Sequence, residues 1–322
     1  QTGALLGMPD LDTGSTYVQG QLATFMKTLS GWGVAGFRLD AAKHIAASEL
    51  SSIVSQAGSP FVYSEVIGAS GEPVQPSEYT GFGAVTEFAY GTNLATQFRG
   101  QIKNLKTFGE SWGLLPSDKA EVFVVNHDRE RGQGGSGMLT YKDGSTYNLA
   151  NVFMLAWPYG KYKQVMSGYD FGSDTDMGGP STTPCSAGSI WNCDHRWANI
   201  ANMTLFNNDV DGTAMANWWD NGNNQIAFGR GAKGFVVINN ETGSMTQTLQ
   251  TGLPAGNYCN ILAGSAPCSG TNITVNSDGT ATFSVGAKQA AAIDYKYKSG
   301  DVTPTIRFTS MYFRGTPNAW GS

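Results

Sequence analysis

Charged residues are scarce in this chain. Lysine, arginine, aspartate and glutamate make up 14% of its 322 residues, against about a quarter in an ordinary globular protein. The formal net charge is −5, so the chain lacks the basic surface that attracts nucleic acids or anionic membranes. It also lacks an apolar run long enough to span a bilayer. From these absences we expect no nucleic-acid partner and no membrane partner.

Cysteine is also rare. The four cysteines are Cys185, Cys193, Cys259 and Cys268, and no histidine or further cysteine stands at zinc-finger spacing around them, which argues against a metal site there. Four cysteines allow three pairings, and the two local ones, Cys185–Cys193 and Cys259–Cys268, are favoured. Because disulfides form in oxidising compartments, we expect a secreted, extracellular protein.

Three apolar segments lead into acidic residues. The run 33–39 precedes Asp40, the run 60–66 carries Glu65 near its end, and the run 120–126 precedes His127 and Asp128. Helix-length sequence separates these runs, which is typical of a parallel α/β sheet. In such sheets functional groups collect at the carboxyl ends of the strands. Since packing alone rarely places three acids in this way, we interpret them as part of one active site.

Arg38 stands two residues before Asp40. Strand side chains alternate between the two faces, so these two residues point to the same side. Arginine stays cationic and would hold the carboxylate ionised. For this segment alone, a buried ion pair that joins strands of a sheet is the alternative interpretation.

The order of segments predicts two domains. We expect helices over 14–31, 48–55, 93–105 and 196–208, and strands over 33–39, 60–66, 85–90, 121–126 and 152–157, which makes residues 1–211 an α/β domain of five βα units. Residues 212–297 are short alternating segments broken by Gly, Asn and Asp, which predict a small antiparallel β domain. Residues 298–322 read as a linker and the start of another module.

Several segments resemble those of a known family. Gly36-Phe-Arg-Leu-Asp-Ala-Ala-Lys-His44, Ser64-Glu-Val-Ile67 and Val124-Val-Asn-His-Asp128 occur in the order found in α-amylases of the large retaining glycoside-hydrolase clan, family 13. The resemblance is closest to the animal-type and actinobacterial secreted enzymes. It implies the C-terminal five βα units of a TIM (β/α)8 barrel, followed by a Greek-key β domain and the start of a starch-binding module. The first strands of the barrel are then expected upstream of this chain.

The resemblance also implies roles for individual residues. Asp40 would be the nucleophile, Glu65 the general acid and base, and Asp128 the residue that holds sugar hydroxyls and favours the distorted transition state. Substrate contacts are implied for Arg38, Lys43, His44 and His127. Trp157 is expected to line the cleft because it stands at the end of a predicted strand. We expect His195, by contrast, to be structural.

The same resemblance concerns two bound ions, calcium and chloride. Calcium would take Asp10 and the backbone carbonyl of His44 among its ligands, with the remaining ligands upstream of this chain.

Animal-type members also bind chloride, through positions that match Arg38 and Asn126 and through a third, basic residue. Alignment on the Val-Met pair at 165–166 puts Gln164 at the third position instead of Lys163. Since glutamine is neutral, we expect chloride binding to be absent or weak.

The function implied is that of an α-amylase, monomeric at full length, which cleaves internal α-1,4-glucosidic bonds in starch or maltooligosaccharides with retention. One alternative is a maltooligosaccharide-forming exo-amylase or a transglycosylase of the same clan. The other is a non-catalytic glucan-binding fragment, against which the presence of Asp40, Glu65 and Asp128 argues.

Overall fold

The computed structural model describes residues 9–135, 137–170, 183, 185–186 and 189–300. Within them, a parallel sheet with its helices comes first along the chain and an antiparallel β domain follows. The predicted start of a further module, at 301–322, lies outside the described residues, as does most of the Gly/Pro/Ser-rich segment after Asp170.

Five strands form the parallel sheet. They are β1 (Gly36–Leu39), β2 (Phe61–Ser64), β3 (Ala84–Thr86), β4 (Ala120–Phe123) and β5 (Tyr162–Gln164). They lie side by side in chain order, and every neighbouring pair is parallel. This order of strands is that of half a TIM barrel, so the predicted fold class is confirmed.

Six α-helices accompany the strands in the part of the chain that the structure describes. They are α1 (Thr16–Gly31), α2 (Ala47–Gln56), α3 (Phe88–Arg99), α4 (His127–Glu130), α5 (Ser145–Ala156) and α6 (Ala198–Asp209). The helices predicted over 14–31, 48–55 and 196–208 are confirmed to within two residues. No helix in the described part of the chain is both long enough and apolar enough to cross a membrane.

Glycine at position 91 lets α3 lie directly against the end of β4. A Cβ atom there would stand 2.9 Å from the carbonyl oxygens of both Phe123 and Val124, which is closer than Cβ atoms in proteins approach other atoms.

Helix α3 begins earlier than predicted, at Phe88, because the strand before it ends at Thr86 instead of continuing to residue 90. The helix also ends at Arg99, short of the predicted residue 105.

The strand predicted over 152–157 is wrong. Residues 152–156 lie in α5, and the fifth strand is β5, at 162–164. The helix is buried on every side because it packs on α3 and α6 and also on β8 and β13 of the β domain. A helix that is apolar all round looks like a buried strand in sequence, which explains the error.

The β domain contains two antiparallel sheets of four strands each. Its strands are β6 (Met215–Asp220), β7 (Gln225–Arg230), β8 (Gly234–Asn239), β9 (Met245–Gln250), β10 (Gly256–Cys259), β11 (Asn272–Val275), β12 (Thr280–Val285) and β13 (Gln289–Asp294). One sheet has the order β13-β8-β7-β6 and the other β10-β11-β12-β9. Buried side chains such as Phe235 and Phe283, with ring centroids 5.4 Å apart, form a core between the sheets. The predicted antiparallel architecture is thereby confirmed.

Both local disulfides are present. Cys185 is bonded to Cys193 and Cys259 to Cys268, which confirms the favoured pairing and leaves no cysteine free. Each bond closes a short loop of the chain.

A buried arginine joins the two domains. Arg230, on β7, donates through Nε to the carbonyl of Thr213 at 2.9 Å, and through its Nη atoms to the carbonyls of Ala156 and Val210. The last two carbonyls belong to the C-terminal ends of α5 and α6, where backbone acceptors have no partner inside the helix. Burial lowers the pKa of Arg230 to about 10, although the charge of Asp211 raises it.

We expect Arg230→Met to destabilise the chain by about 3 kcal/mol, because the carbonyls of Ala156 and Thr213 lose their donor and that of Val210 loses one of its donors. The measurement is the free energy of unfolding in urea. Arg196→Met, at an exposed arginine, is the matched control and should leave stability almost unchanged. A loss in Arg230→Met no larger than in this control would show that the arginine does not hold the junction.

Candidate active site

Asp40 and Glu65 occupy equivalent places on adjacent strands. Each immediately follows the last residue of its strand, β1 or β2. Leu39 and Ser64 are register partners, and the N–H of Glu65 donates to the carbonyl of Leu39 at 2.9 Å. The two acids therefore leave the same edge of the sheet next to each other.

The guanidinium of Arg38 contacts both acids. It is paired with Asp40, and its Nη2 lies 2.9 Å from Oε1 of Glu65. The second contact is an ion pair without the alignment of a hydrogen bond. Although burial lowers the pKa of Arg38, the charges of Glu65 and Asp40 raise it above its ordinary value. The sequence predicts Arg38 as a partner of Asp40 alone, so its contact with Glu65 is an additional finding.

The backbone after Asp40 turns towards Glu65. Ala41 has a left-handed conformation, with φ of 46°, which is unusual for a residue other than glycine. Its N–H donates to Oε2 of Glu65 at 2.9 Å. Such strain is often found at functional sites. Glu65 is thus held at both oxygens, and only 11% of its side chain is exposed, against 73% for Asp40.

Asn126, His127 and Asp128 lie just beyond β4. The side chain of Asn126 caps α4 by accepting the N–H of Arg129 at 2.9 Å. The cap places His127 and Asp128 in the first turn of this helix, where Nε2 of His127 lies 3.5 Å from Oδ1 of Asp128. The strand itself ends at Phe123, three residues earlier than predicted.

One cavity of about 520 Å³ connects these elements. All five parallel strands or the residues that follow them line it, and the lining includes Arg38, Tyr63, Thr86, Asn126, His127 and Gln164. Asp40, Glu65 and Asp128 are not among its lining residues, but Asp40 and Glu65 contact Arg38, and Asp128 lies beside His127. Each acid is thus next to a residue that lines the cavity, and the convergence of the three acids on one sugar ring stays a prediction.

The sequence-based prediction leaves out Glu121 and describes His195 as structural, and the structure differs on both residues. Glu121, on β4, is 4% exposed, and burial raises its pKa to about 8, although the charge of Arg38 lowers it. An acid inside an Ala-Val-Phe strand is the signal that could have revealed it. His195, expected to be structural, lines the cavity, and its Nδ1 lies 2.8 Å from Oγ of Ser167.

Trp157 does not lie in the cleft, so its predicted substrate contact is wrong. It follows the buried helix α5, is 3% exposed, and donates its indole N–H to the carbonyl of Phe108 at 2.7 Å. Its ring packs against Trp218 and Phe228 of the β domain. The error follows from the incorrect strand at 152–157.

Lys43 and His44 lie on the short turn after Asp40. Lys43 donates to the carbonyl of Ile67 at 2.9 Å and is paired with Glu72, whose pKa the hydrogen bond from Lys43 lowers. The side chain of His44 is exposed. Neither residue lines the cavity that contains Arg38 and His127, so their roles in substrate binding stay predictions.

Known proteins share both the sequence and the fold. An α-amylase of Aeromonas hydrophila is 62% identical over 237 residues, 72% of this chain and 53% of that protein. Human pancreatic α-amylase is 44% identical over 319 residues, 87% of this chain and 62% of that protein. The crystal structure of Eisenia fetida α-amylase I matches with a TM-score of 0.83 and 41% identity, over 90% of this chain and 67% of that chain. The chain belongs to the α-amylase family.

Further findings agree with this membership. Residues 216–296 match the model of the α-amylase C-terminal all-β domain. The Eisenia enzyme has also been solved as a mutant in complex with maltohexaose, with the same TM-score. The chain spans about half the length of the first two curated relatives it matches, from Aeromonas hydrophila and Streptomyces violaceus.

The described residues do not complete a calcium site for this member of the α-amylase family. Calcium takes about six to eight oxygen ligands, and Asp10 with the carbonyl of His44 would supply two. The described part of the chain contains no group of three or more His, Cys, Asp or Glu residues that could hold a metal ion. Calcium binding stays a prediction.

The three candidate chloride positions, Arg38, Asn126 and Gln164, line the same cavity. Lys163 points elsewhere, because its Nζ donates to the carbonyl of Trp157 at 2.6 Å and to Oδ1 of Asn207 at 2.8 Å. A neutral amide therefore occupies the third candidate position, where chloride-binding members have a basic residue.

As the pH rises from acid to mildly alkaline, the Glu121→Gln variant should lose less stability than the wild type. The folded-state pKa of Glu121, about 8, lies above its ordinary value of 4.5. Its contribution to stability is therefore fully present below about pH 4.5 and is lost as the pH rises through about 8. Urea unfolding across this range should show a decline that is smaller in the variant, by on the order of 1–3 kcal/mol. Asp118→Asn, at an exposed acid, is the control, and equal declines in both variants would contradict the expectation.

Chloride should not stabilise this chain, whereas Gln164→Arg should make it chloride-sensitive by adding a second guanidinium beside the cavity. A ligand that binds only the folded state raises the melting temperature. We expect the melting temperature of the wild type to be the same in sodium chloride and sodium gluconate, and that of the variant to be higher in chloride. Gln101→Arg, at an exposed glutamine, controls for added charge. A chloride-dependent rise in the wild type would contradict the expectation.

Proposed function

We propose that this chain carries the catalytic acids of an endo-acting α-amylase, which hydrolyses α-1,4-glucosidic bonds of starch and maltooligosaccharides with retention. The observation that supports this best is the single guanidinium of Arg38 in contact with Asp40 and Glu65. Carboxyl groups about 5–5.5 Å apart suit retention, whereas inversion needs about 6.5–9.5 Å to admit a water molecule. Two acids on one guanidinium fit the shorter range better.

The exposures of the two acids agree with their proposed roles. Asp40 is open to solvent and can reach the anomeric carbon, while Glu65 is almost enclosed. In the first step Glu65 protonates the glycosidic oxygen that leaves, and a carboxylate oxygen of Asp40 forms a bond to the anomeric carbon. In the second step Glu65 takes a proton from water, whose oxygen displaces Asp40 from that carbon.

Asp128 and His127 would bind the sugar ring in the cavity that Arg38 also lines. His127 lines the cavity, and Asp128 lies beside it in the first turn of α4. Hydrogen bonds to ring hydroxyls that strengthen in the transition state lower the barrier. The maltohexaose bound in the Eisenia relative supports an α-glucan as the substrate class.

The disulfide bonds of the chain agree with an extracellular enzyme. Two disulfides close surface loops, and disulfides persist in oxidising compartments. We propose secretion on this ground. The exo-acting and transglycosylating alternatives share the same three acids and differ in loops around the cleft, so the choice among them depends on the products formed.

Glu65→Gln should lower turnover by several orders of magnitude and leave glucan binding largely intact, because the amide cannot transfer a proton. The assay measures reducing ends released from soluble starch by the 322-residue chain, and proton NMR follows the configuration of the new anomeric centre. We expect the wild type to release the α-anomer. Asp118→Asn is the control for an acid outside the site.

Each alternative gives a distinct result. A near-normal rate in Glu65→Gln would remove this residue from its role. Wild-type binding of starch without turnover would favour the non-catalytic glucan-binding function. Release of one short product from chain ends would favour an exo-acting enzyme.

A further inference from the structure

A second cavity lies between the helices and the β domain. Its volume is about 510 Å³, within the range of about 300–1,000 Å³ that is common for small-molecule sites. Helices α5 and α6 form one wall, and strands β12 and β13 with the loop 260–263 form the other. The cavity shares no lining residue with the candidate active site.

The polar groups on its walls are neutral. They are the amides of Asn148, Asn199, Asn260 and Gln289 and the hydroxyls of Thr271 and Ser284. Among the described residues that line the cavity none is a carboxylate, and the one cation, Lys288, already donates to Oδ1 of Asn240 at 2.8 Å. An anion would need cations here and an amine would need carboxylates, so the walls suit a neutral ligand.

Two of the amides have unused hydrogen-bonding capacity. Oδ1 of Asn148 is buried and has no partner within the described structure. Oδ1 of Asn260 already accepts the N–H groups of Leu262 and Ala292, at 3.2 and 3.1 Å, which leaves its NH₂ group to donate. Asn148 and Asn260 both line the cavity, and amide groups match a hydroxyl group, which both donates and accepts.

Apolar side chains complete the walls. Leu149 and Val152 from α5 and Leu262 and Val285 from the β domain also line the cavity. A surface that alternates amides with aliphatic groups complements a sugar ring, which carries hydroxyls on its rim and C–H groups on its faces. We propose that this cavity binds a short segment of a neutral α-glucan chain. The choice of α-glucan among neutral polyols rests on the proposed function.

A second site of this kind would change how a polymer is held. A glucan chain long enough to reach both places, or neighbouring chains of a starch granule, would occupy the cavity and the candidate active site together. The second contact is then intramolecular, so the overall affinity exceeds that of either site. Short oligosaccharides, which occupy one site at a time, would not gain this advantage.

Methyl NMR on the 322-residue chain tests the proposal, with Glu65→Gln as background to prevent turnover and maltoheptaose as the probe. Methyl signals of Leu149, Leu262 and Val285 report on the cavity, and those of Val165 and Met166 report on the candidate active site. We expect maltoheptaose to shift both sets with saturable curves. Cellohexaose, a β-linked glucan, should leave the cavity signals unchanged.

Asn148→Leu keeps the volume of the side chain and removes its hydrogen-bonding groups. Because Oδ1 of Asn148 has no partner within the described structure, the change should not lower stability. It should weaken the maltoheptaose-dependent shifts of the cavity signals by about fivefold or more without altering those of Val165 and Met166. Asn104→Leu, at an exposed asparagine, is the matched control and should change neither.

The outcomes separate this inference from the proposed function. Shifts confined to Val165 and Met166 would overturn the cavity site and leave the proposed function standing. An absence of shifts at both places would overturn the site and count against the function as well. Cavity shifts that persist in Asn148→Leu, or that cellohexaose reproduces, would also overturn the proposed glucan site.

Discussion

The contact of one guanidinium with two carboxylates is the interaction on which the candidate site depends. Arg38 projects from the middle of a strand whose end carries Asp40, and the adjacent strand carries Glu65 at the same level. Two carboxylates in proximity repel each other, and the cation between them offsets that repulsion. The parallel register of β1 and β2 makes the arrangement possible, because a slip by one residue would send Glu65 to the other face.

The sequence predicted the parts of the fold that follow from local pattern. Acids after apolar runs indicated strand ends, and the structure places Asp40, Glu65 and Asp128 after β1, β2 and β4. Alternation correctly paired Arg38 with Asp40. The contact between Arg38 and Glu65 was not predicted, since it depends on which strands are neighbours and in what register. Pattern within one segment carries no such information.

The incorrect strand at 152–157 and the incorrect role of Trp157 share one cause, which is the burial of α5 on all sides. Helix α5 packs between other helices and the β domain, so it lacks the polar face that marks a helix in sequence. The run was therefore interpreted as a strand, and Trp157 was placed in the cleft. Glu121 was missed for a different reason. Carboxyl groups are rarely buried inside a sheet, so a glutamate in an apolar strand is not usually expected to be buried.

The position of α5 has a further consequence for how the chain can be divided. Its C-terminal carbonyls at Ala156 and Trp157 are satisfied by Arg230 of β7 and by Lys163 of β5. The helix that supports the parallel sheet is thus terminated partly by a side chain from the other domain. A truncation between residues 211 and 215 would leave the α5 end without one of these donors and expose the apolar surface that the β domain covers. The two domains are therefore expected to unfold as one cooperative unit and to resist separate expression.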